Sequence, residues 1–308
     1  MSLLFLSTTD SPDPWVEEFR RQMPELDLRV WPETGDPHDI RYALVWKPPP
    51  GELRRLPALE VMFSLGAGVD ALLGDPELPD LPLVRMVEHG LTEGMAEYVA
   101  LQALYWHRNM HAYLASQRGG VWQPLPERLA RERRVGILGL GELGSAAART
   151  LAGLGFDAAG WSRTQRQLPG IACLHGRDGL DTLLARSEIL VCLLPLTPET
   201  RGILDARTFS RLPRGAVVIN AARGAHVVDA DLLEALASGR LAGASLDVFT
   251  REPLPPDHPF WSHPAIVVTP HAAAPTHART ATASVVEQIR RHRAGLPLTN
   301  LVDRSRGY

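Results

Sequence analysis

Along the first hundred residues, short apolar runs alternate with polar, turn-rich stretches. The runs at 3–6, 26–30, 43–46, 61–65 and 83–87 predict β-strands, and the proline clusters at 47–51 and 78–82 predict turns. That alternation is the pattern of a small parallel α/β domain. From about 92 to 116, apolar residues recur at helical spacing (Met95, Val99, Leu101, Leu104, Tyr105), which predicts one long helix suited to a domain connection or a subunit contact. After "VWQPLP" the βα rhythm returns more strongly. A buried strand is predicted in "RRVGILGL", a helix over 142–154, and strands over 156–161, 189–194, 216–220, 242–246 and 266–269. Helices such as 229–237 fill the gaps, and a last helix over 277–293 is expected to fold back onto the first domain. Apolar strands without polar alternation suit a parallel sheet covered on both faces.

Composition narrows the function classes. The 308 residues suffice for two domains, and 45% hydrophobic with 22% charged residues describes a soluble globular protein. A net charge of −3 offers no basic surplus for nucleic acid or anionic lipid. Lys47 is the only lysine among the cations. Two cysteines, Cys173 and Cys192, make neither a disulfide framework nor, by themselves, a zinc site, so no metal and a reducing cytoplasm are expected. The opening "MSLLFLSTTD" lacks a basic segment and reads as a first strand, not a signal peptide. No apolar run approaches the roughly 18 residues needed to span a bilayer.

The chemistry begins at "GLGELG", with Gly139, Gly141 and Gly144 between a predicted strand and a predicted helix. Gly139 allows a tight turn, Gly141 lets backbone approach a pyrophosphate, and Gly144 lets the helix pack closely on the strand. N–H groups at the helix start face the phosphates. The next strand leads into "WSRTQR", where an NAD-binding domain is expected to show an acid beside the ribose. Ser162 can instead donate to a 2′-phosphate, Arg163 can grip its oxygens, and Arg166 adds a second positive charge. NADPH is favoured over NADH. Three further side chains follow apolar strands: Arg223 in "NAARGAHVVD", Glu252 in "LDVFTREPLP" and His271 in "IVVTPHAAA". Ligands of open α/β sheets lie outside the carboxyl ends of the strands, so the three suit a single site.

Over essentially its whole length the chain resembles the D-isomer-specific 2-hydroxyacid dehydrogenase family, and within it the bacterial glyoxylate/hydroxypyruvate reductase A group. The resemblance is carried by "ALVWKPP", "SLGAGVDALL", "GILGLGELG", "WSRT", "LLPLTPET", "NAARGAHVV", "LDVFTREPLPPDHPFW", "TPH" and the tail "VDRSRGY". It implies an α/β fold of two Rossmann-like or flavodoxin-like domains with parallel sheets. Residues 1–98 plus 276–308 would bind substrate and 99–275 would bind NADP, with the active site in the cleft between them.

The resemblance implies roles as well. Arg223 would bind the substrate carboxylate and polarise the keto oxygen, His271 would donate a proton, and Glu252 would hold the other imidazole nitrogen. A carboxylate beside an imidazolium stabilises the charged form that a general acid needs near neutral pH. Backbone N–H groups of Ala67, Gly68 and Val69 would add to carboxylate binding, with Trp46 and Lys47 lining the same cleft. Glu142 and Leu143 would join the phosphate turn. Leu194, Pro195 and Thr200 would follow the adenine–ribose side, and Ala221, Ala222, Asp247 and Ala273 would lie near the nicotinamide. Glyoxylate or hydroxypyruvate would be the substrate and a homodimer the assembly. "HAAA" stands where many relatives carry "HIGG", which leaves a bulkier 2-keto acid as an alternative. A cofactor-sensing regulator on the same fold would keep Arg, Glu and His too. A formate dehydrogenase would carry glutamine at position 252.

Overall fold

The computed structural model describes residues 2–308. The chain falls into two compact units, residues up to 91 together with 276–308, and residues 92–275. In the first unit, β1 (Ser2–Ser7), β2 (Asp27–Val30), β3 (Ile40–Trp46), β4 (Val61–Ser64) and β5 (Leu83–Val84) form a parallel sheet of order β2-β1-β3-β4-β5, the order of flavodoxin-like sheets. Leu4, Leu6, Ile40, Val45 and Met62 build one face of its core. The helix Asp13–Gln22 buries Trp15 and Phe19, one turn apart, and packs beside the helix Ala278–Arg293. That second helix buries Ala281, Val285, Val286 and Ile289 at helical spacing. The chain end then pairs with β5, where Val302 N–H donates to the Leu83 carbonyl at 2.8 Å.

The second unit holds seven parallel strands: β6 (Arg134–Leu138), β7 (Asp157–Ser162), β8 (Ala172–His175), β9 (Ile189–Cys192), β10 (Ala216–Asn220), β11 (Leu241–Leu246) and β12 (Ile266–Val268). Their order is β12-β11-β10-β9-β6-β7-β8. The chain winds outward from β6 to β8, then crosses to β9 and winds the other way. This is a Rossmann arrangement with its switch point between β6 and β9. The register keeps the carboxyl ends level: Leu138 lies opposite Trp161 and Cys192, Asn220 opposite Cys192 and Leu246, and Leu246 opposite Val268. Loops leaving these strands therefore start from one plane.

Two elements differ from the sequence expectation. The helix predicted over 92–116 is two helices, His89–His107 and Met110–Arg118, parted at Asn109, whose φ of 55° lies in the left-handed region. One such residue ends the helical ladder, and asparagine tolerates it better than most side chains. Leu101, counted in the apolar stripe, is 61% exposed. Instead Tyr98, Gln102 and Trp106 make the inward face at i, i+4, i+8. Trp106 Nε1 donates to Ser245 Oγ at 2.8 Å, and Ser245 Oγ donates to Gln102 Oε1 at 2.7 Å. A side chain at Gly243 would collide with the Trp106 ring. The short edge strand β8 was not expected, because four residues of mixed polarity carry no clear period.

Candidate active site

The turn between β6 and the helix Glu142–Gly153 is built by its glycines. Gly139 has φ of 100°, and a Cβ there would meet the Leu193 carbonyl oxygen at 2.7 Å. A Cβ at Gly144 would collide with the Gly139 carbonyl oxygen, so the helix lies directly against the strand end. At Gly141 a Cβ would meet nothing within 4 Å. Gly141 is the N-cap and supplies no side-chain cap, which leaves the first-turn N–H groups open to an anion. Leu143 packs its side chain into the apolar core, while Glu142 is exposed.

At the end of β7, Trp161 accepts the Gly139 N–H at 2.8 Å, tying this loop to the glycine turn. Ser162 Oγ donates to the Thr164 carbonyl at 2.7 Å, and Arg163 and Arg166 are exposed. After β9, Leu194 is buried and the Pro195 carbonyl accepts the Thr200 hydroxyl at 2.7 Å. Thr200 Oγ1 also accepts the Thr197 N–H at 2.8 Å, so its hydroxyl shapes the loop.

Arg223 follows β10 by three residues. Asn220 braces that bend, with Nδ2 donating to the Arg223 carbonyl at 2.9 Å and Oδ1 accepting from Ala222 N–H at 3.2 Å. One guanidinium nitrogen of Arg223 donates to the Ala222 carbonyl at 2.7 Å. Ala221 and Ala222 are buried. His226 is fully buried beneath the bend. Its Nδ1 accepts Arg223 N–H at 3.2 Å, and its Nε2 faces the Pro195 carbonyl at 3.3 Å. The same histidine thus touches two of the loops. Gly224 has no room for a side chain, since a Cβ would overlap the backbone of Phe249 and Thr250. The Arg223 bend and the Glu252 loop therefore meet backbone to backbone.

Glu252 Oε1 accepts the Phe249 N–H at 3.1 Å, and Oε2 lies 2.9 Å from His271 Nδ1. His271 has φ of 53°, a conformation that costs a non-glycine residue about 1–3 kcal/mol and persists only where surroundings over-determine it. Asp247, 1% exposed just beyond β11, supplies much of that determination. Its carbonyl accepts the His271 N–H at 2.7 Å. Its carboxylate accepts Thr269 Oγ1 at 2.6 Å, Ala272 N–H at 2.9 Å and Ala273 N–H at 3.0 Å. With Nδ1 taken by Glu252, Nε2 is the ring nitrogen left for a ligand.

In the first unit, Trp46 ends β3 and its indole lies where a side chain on Gly66 would be. Lys47 has φ of 45°, and its carbonyl accepts the Thr8 hydroxyl at 3.2 Å. Ala67, Gly68 and Val69 follow β4 and precede the short helix Asp70–Leu73. None of their three N–H groups donates to a protein acceptor among the described residues. Three adjacent amides without a protein acceptor are donors that an anion could use.

The family model for the "D-isomer specific 2-hydroxyacid dehydrogenase, NAD binding domain" matches residues 100–273, the stretch that carries the glycine turn and Arg223, Glu252 and His271. The chain belongs to the D-isomer specific 2-hydroxyacid dehydrogenase family. Among solved structures, this dehydrogenase is similar to one from Xanthobacter autotrophicus Py2 in complex with NADPH and MES, at 46% identity and a TM-score of 0.97, over 100% of this chain and 99% of that one. It is similar to the NADPH-dependent glyoxylate/hydroxypyruvate reductase of Sinorhizobium meliloti in complex with NADP and sulfate, at 43% identity and a TM-score of 0.95, over 100% of both chains. A probable 2-hydroxyacid dehydrogenase of Rhizobium etli CFN 42, with NADP, HEPES and L(+)-tartaric acid, matches at 38% identity and a TM-score of 0.91, over 100% of this chain and 99% of that one.

The glycine turn of this dehydrogenase fits a dinucleotide: there is open space over Gly141, the first-turn amides are uncapped, and no acid stands among residues 161–166. Sequence reading passed over four residues that organise the site, namely Tyr98, Asn220, His226 and Thr269. Asn220, His226 and Thr269 stood inside quoted motifs, and a polar residue next to a strand end is the signal that could have found them. No helix among the described residues is long and apolar enough to cross a membrane.

Proposed function

We propose that the protein catalyses the NADPH-dependent reduction of small 2-keto acids, glyoxylate to glycolate and hydroxypyruvate to D-glycerate. The observation that carries this reading is the His271–Glu252 pair, 2.9 Å apart, in the same unit as a glycine turn that fits a dinucleotide. The bound complexes of the Xanthobacter, Sinorhizobium and Rhizobium relatives support NADPH as the cofactor, as does the Ser162–Arg163–Arg166 loop.

In this proposal Gly139, Gly141, Glu142, Leu143 and Gly144 hold the pyrophosphate, and Ser162, Arg163 and Arg166 hold the 2′-phosphate. Leu194, Pro195 and Thr200 flank the adenosine, with Ala221, Ala222, Asp247 and Ala273 at the nicotinamide end. When bound, the cofactor supplies the hydride for the carbonyl carbon. Arg223 grips the substrate carboxylate through parallel N–H···O bonds and draws electron density towards the keto oxygen. In the first unit, Ala67, Gly68 and Val69, with Trp46 and Lys47, are proposed as substrate-binding residues. His271 gives its Nε2 proton to the keto oxygen while Glu252 keeps the Nδ1 proton in place, and solvent then restores the proton. Arginine keeps its charge throughout, so it serves as a fixed anchor. The same proposal has a cytoplasmic homodimer, which sedimentation velocity would check.

Initial rates of NADPH oxidation with glyoxylate, hydroxypyruvate, pyruvate and phenylpyruvate test the reading. The expected result is turnover of the first two, with kcat/KM at least about tenfold higher with NADPH than with NADH. Preference for phenylpyruvate would point to a bulkier substrate. Absence of turnover with all four would point to a regulator.

A further inference from the structure

We infer that Tyr98 and Thr269 are positioning residues for His271, acting through Asp247. This rests on the proposed role of His271 as proton donor. The geometry is a directed chain. Thr269 Oγ1 has one hydrogen, and at 2.6 Å from Asp247 Oδ1 it must give that hydrogen to the carboxylate, which has none to offer. The contact of Tyr98 Oη with Thr269 Oγ1, at 2.8 Å, then has only one polarity, with the phenol donating. Tyr98 is 9% exposed, and burial pushes its phenol up, so it keeps its proton through the working range of any oxidoreductase of this kind. Hydrogen bonds in series polarise one another, so the phenol strengthens the Thr269 hydroxyl as a donor to Asp247.

The far end of the chain is the backbone of the catalytic loop. The carboxylate that Thr269 steadies also holds the amides of Ala272 and Ala273, and the Asp247 carbonyl holds the amide of His271. Those bonds surround the residue whose φ of 53° is unfavourable for a β-carbon. The near end is equally fixed. Tyr98 stands one helical turn before Gln102 and two before Trp106, both anchored on Ser245 of β11. The helix is thus pinned near the carboxyl end of β11 (Leu241–Leu246), and the buried turn before Gln102 carries the phenol to Thr269 just beyond β12. A ring without the hydroxyl would fill the same space but leave Thr269 free to rotate away from Asp247.

The test compares Tyr98→Phe, Thr269→Val and Thr269→Ser, with kcat and both KM values measured on glyoxylate and NADPH. Hydrogen exchange of the 269–275 segment is measured in parallel without ligands. Because sub-ångström misplacement of a reacting group is costly, kcat should fall about tenfold in Tyr98→Phe and more in Thr269→Val, with each KM within about threefold of the parent. Thr269→Ser, which keeps the hydroxyl, should restore kcat to within about threefold, and exchange of the Ala272 and Ala273 amides should rise in the two hydroxyl-deleted variants alone. Unchanged kcat and exchange in Tyr98→Phe would overturn the inference. So would a Thr269→Ser variant as impaired as Thr269→Val, since packing would then be the cause. Should the parent reduce no 2-keto acid, the proposed function fails, while the exchange measurement still decides whether the chain holds the loop.

Discussion

Replacing Glu252 by glutamine separates the orienting role of the carboxylate from its bulk. Both oxygens are in use, Oε1 accepting the Phe249 amide at 3.1 Å and Oε2 facing His271 Nδ1 at 2.9 Å. Glutamine has one acceptor oxygen and one amide donor, so it can serve only one of them. If it keeps Phe249, its NH2 points at Nδ1, which must then carry no proton. The ring is left with its only proton on Nε2 and no stable neutral form to relax to after donating it. If it keeps the Nδ1 proton, an amide donor is forced against the Phe249 N–H. Either way a charge-assisted hydrogen bond is lost, worth about 1.5–3 kcal/mol. The side chains of His271 and Glu252 are 35% and 23% exposed, and solvent screening places the loss in the lower half of that range. The expected fall in kcat is therefore roughly 13–45-fold at saturating glyoxylate. KM for NADPH should stay within about twofold, because the pair is not in the phosphate turn. Steady-state NADPH oxidation measures both quantities. A glutamine variant with kcat within about twofold of the parent would refute the orienting role.

Three further outcomes follow from packing and protonation. Gly224→Ala places a methyl group against the backbone of Phe249 and Thr250, so thermal unfolding should shift down by about 2–4 °C for each of the 1–3 kcal/mol that overpacking costs, and an unshifted melting curve would contradict the contact. Cys192, wholly buried, has its thiol pushed up to about 12 by desolvation; intact-mass analysis after iodoacetamide at pH 8 should find it unlabelled in the native protein and labelled after denaturation. The Ser2 hydroxyl, 2.7 Å from Asp27, holds that carboxyl below its usual range, with Arg29 adding to it. A depressed carboxyl contributes stability above its unfolded pKa of about 3.8 and loses it as pH falls through the folded value. The melting difference between the parent and Ser2→Ala should therefore be full near pH 6 and shrink towards pH 3; a pH-independent difference would remove the carboxyl from the explanation.

The central strands were legible because they are buried on two faces, so each is a mostly apolar run that stops where a polar residue must begin, whereas the edge strand β8, of mixed polarity, was not. Asn220, Asp247 and Thr269 mark three such stops, and Arg223, Glu252 and His271 stand just beyond them. The glycine turn was legible for a different reason, since close approach of backbone to backbone admits no other residue at Gly139 and Gly144. Allocation of polar groups was not legible. Asp247, read as a nicotinamide contact, spends its carboxylate on the loop that follows His271, and the Thr200 hydroxyl spends itself on its own turn. The partners of Asp247 lie 22, 25 and 26 residues away, and neither these nor the short-range bonds of Thr200 are encoded by a local period. The break at Asn109 escaped for a similar reason, because a single left-handed residue leaves the apolar spacing on either side unchanged.

The division of the chain has a consequence for synthesis. The second unit is one continuous stretch, residues 92–275, whereas the first needs residues 276–308 to be whole. Ala281, Val285, Val286 and Ile289 belong to its core, and residue 302 pairs with β5. On the ribosome the Rossmann unit can therefore close while residues up to 91, made before it, still wait, their apolar strands exposed, for residues 276–308, made after it. A nascent chain stalled between these points would display that unfinished sheet to chaperones.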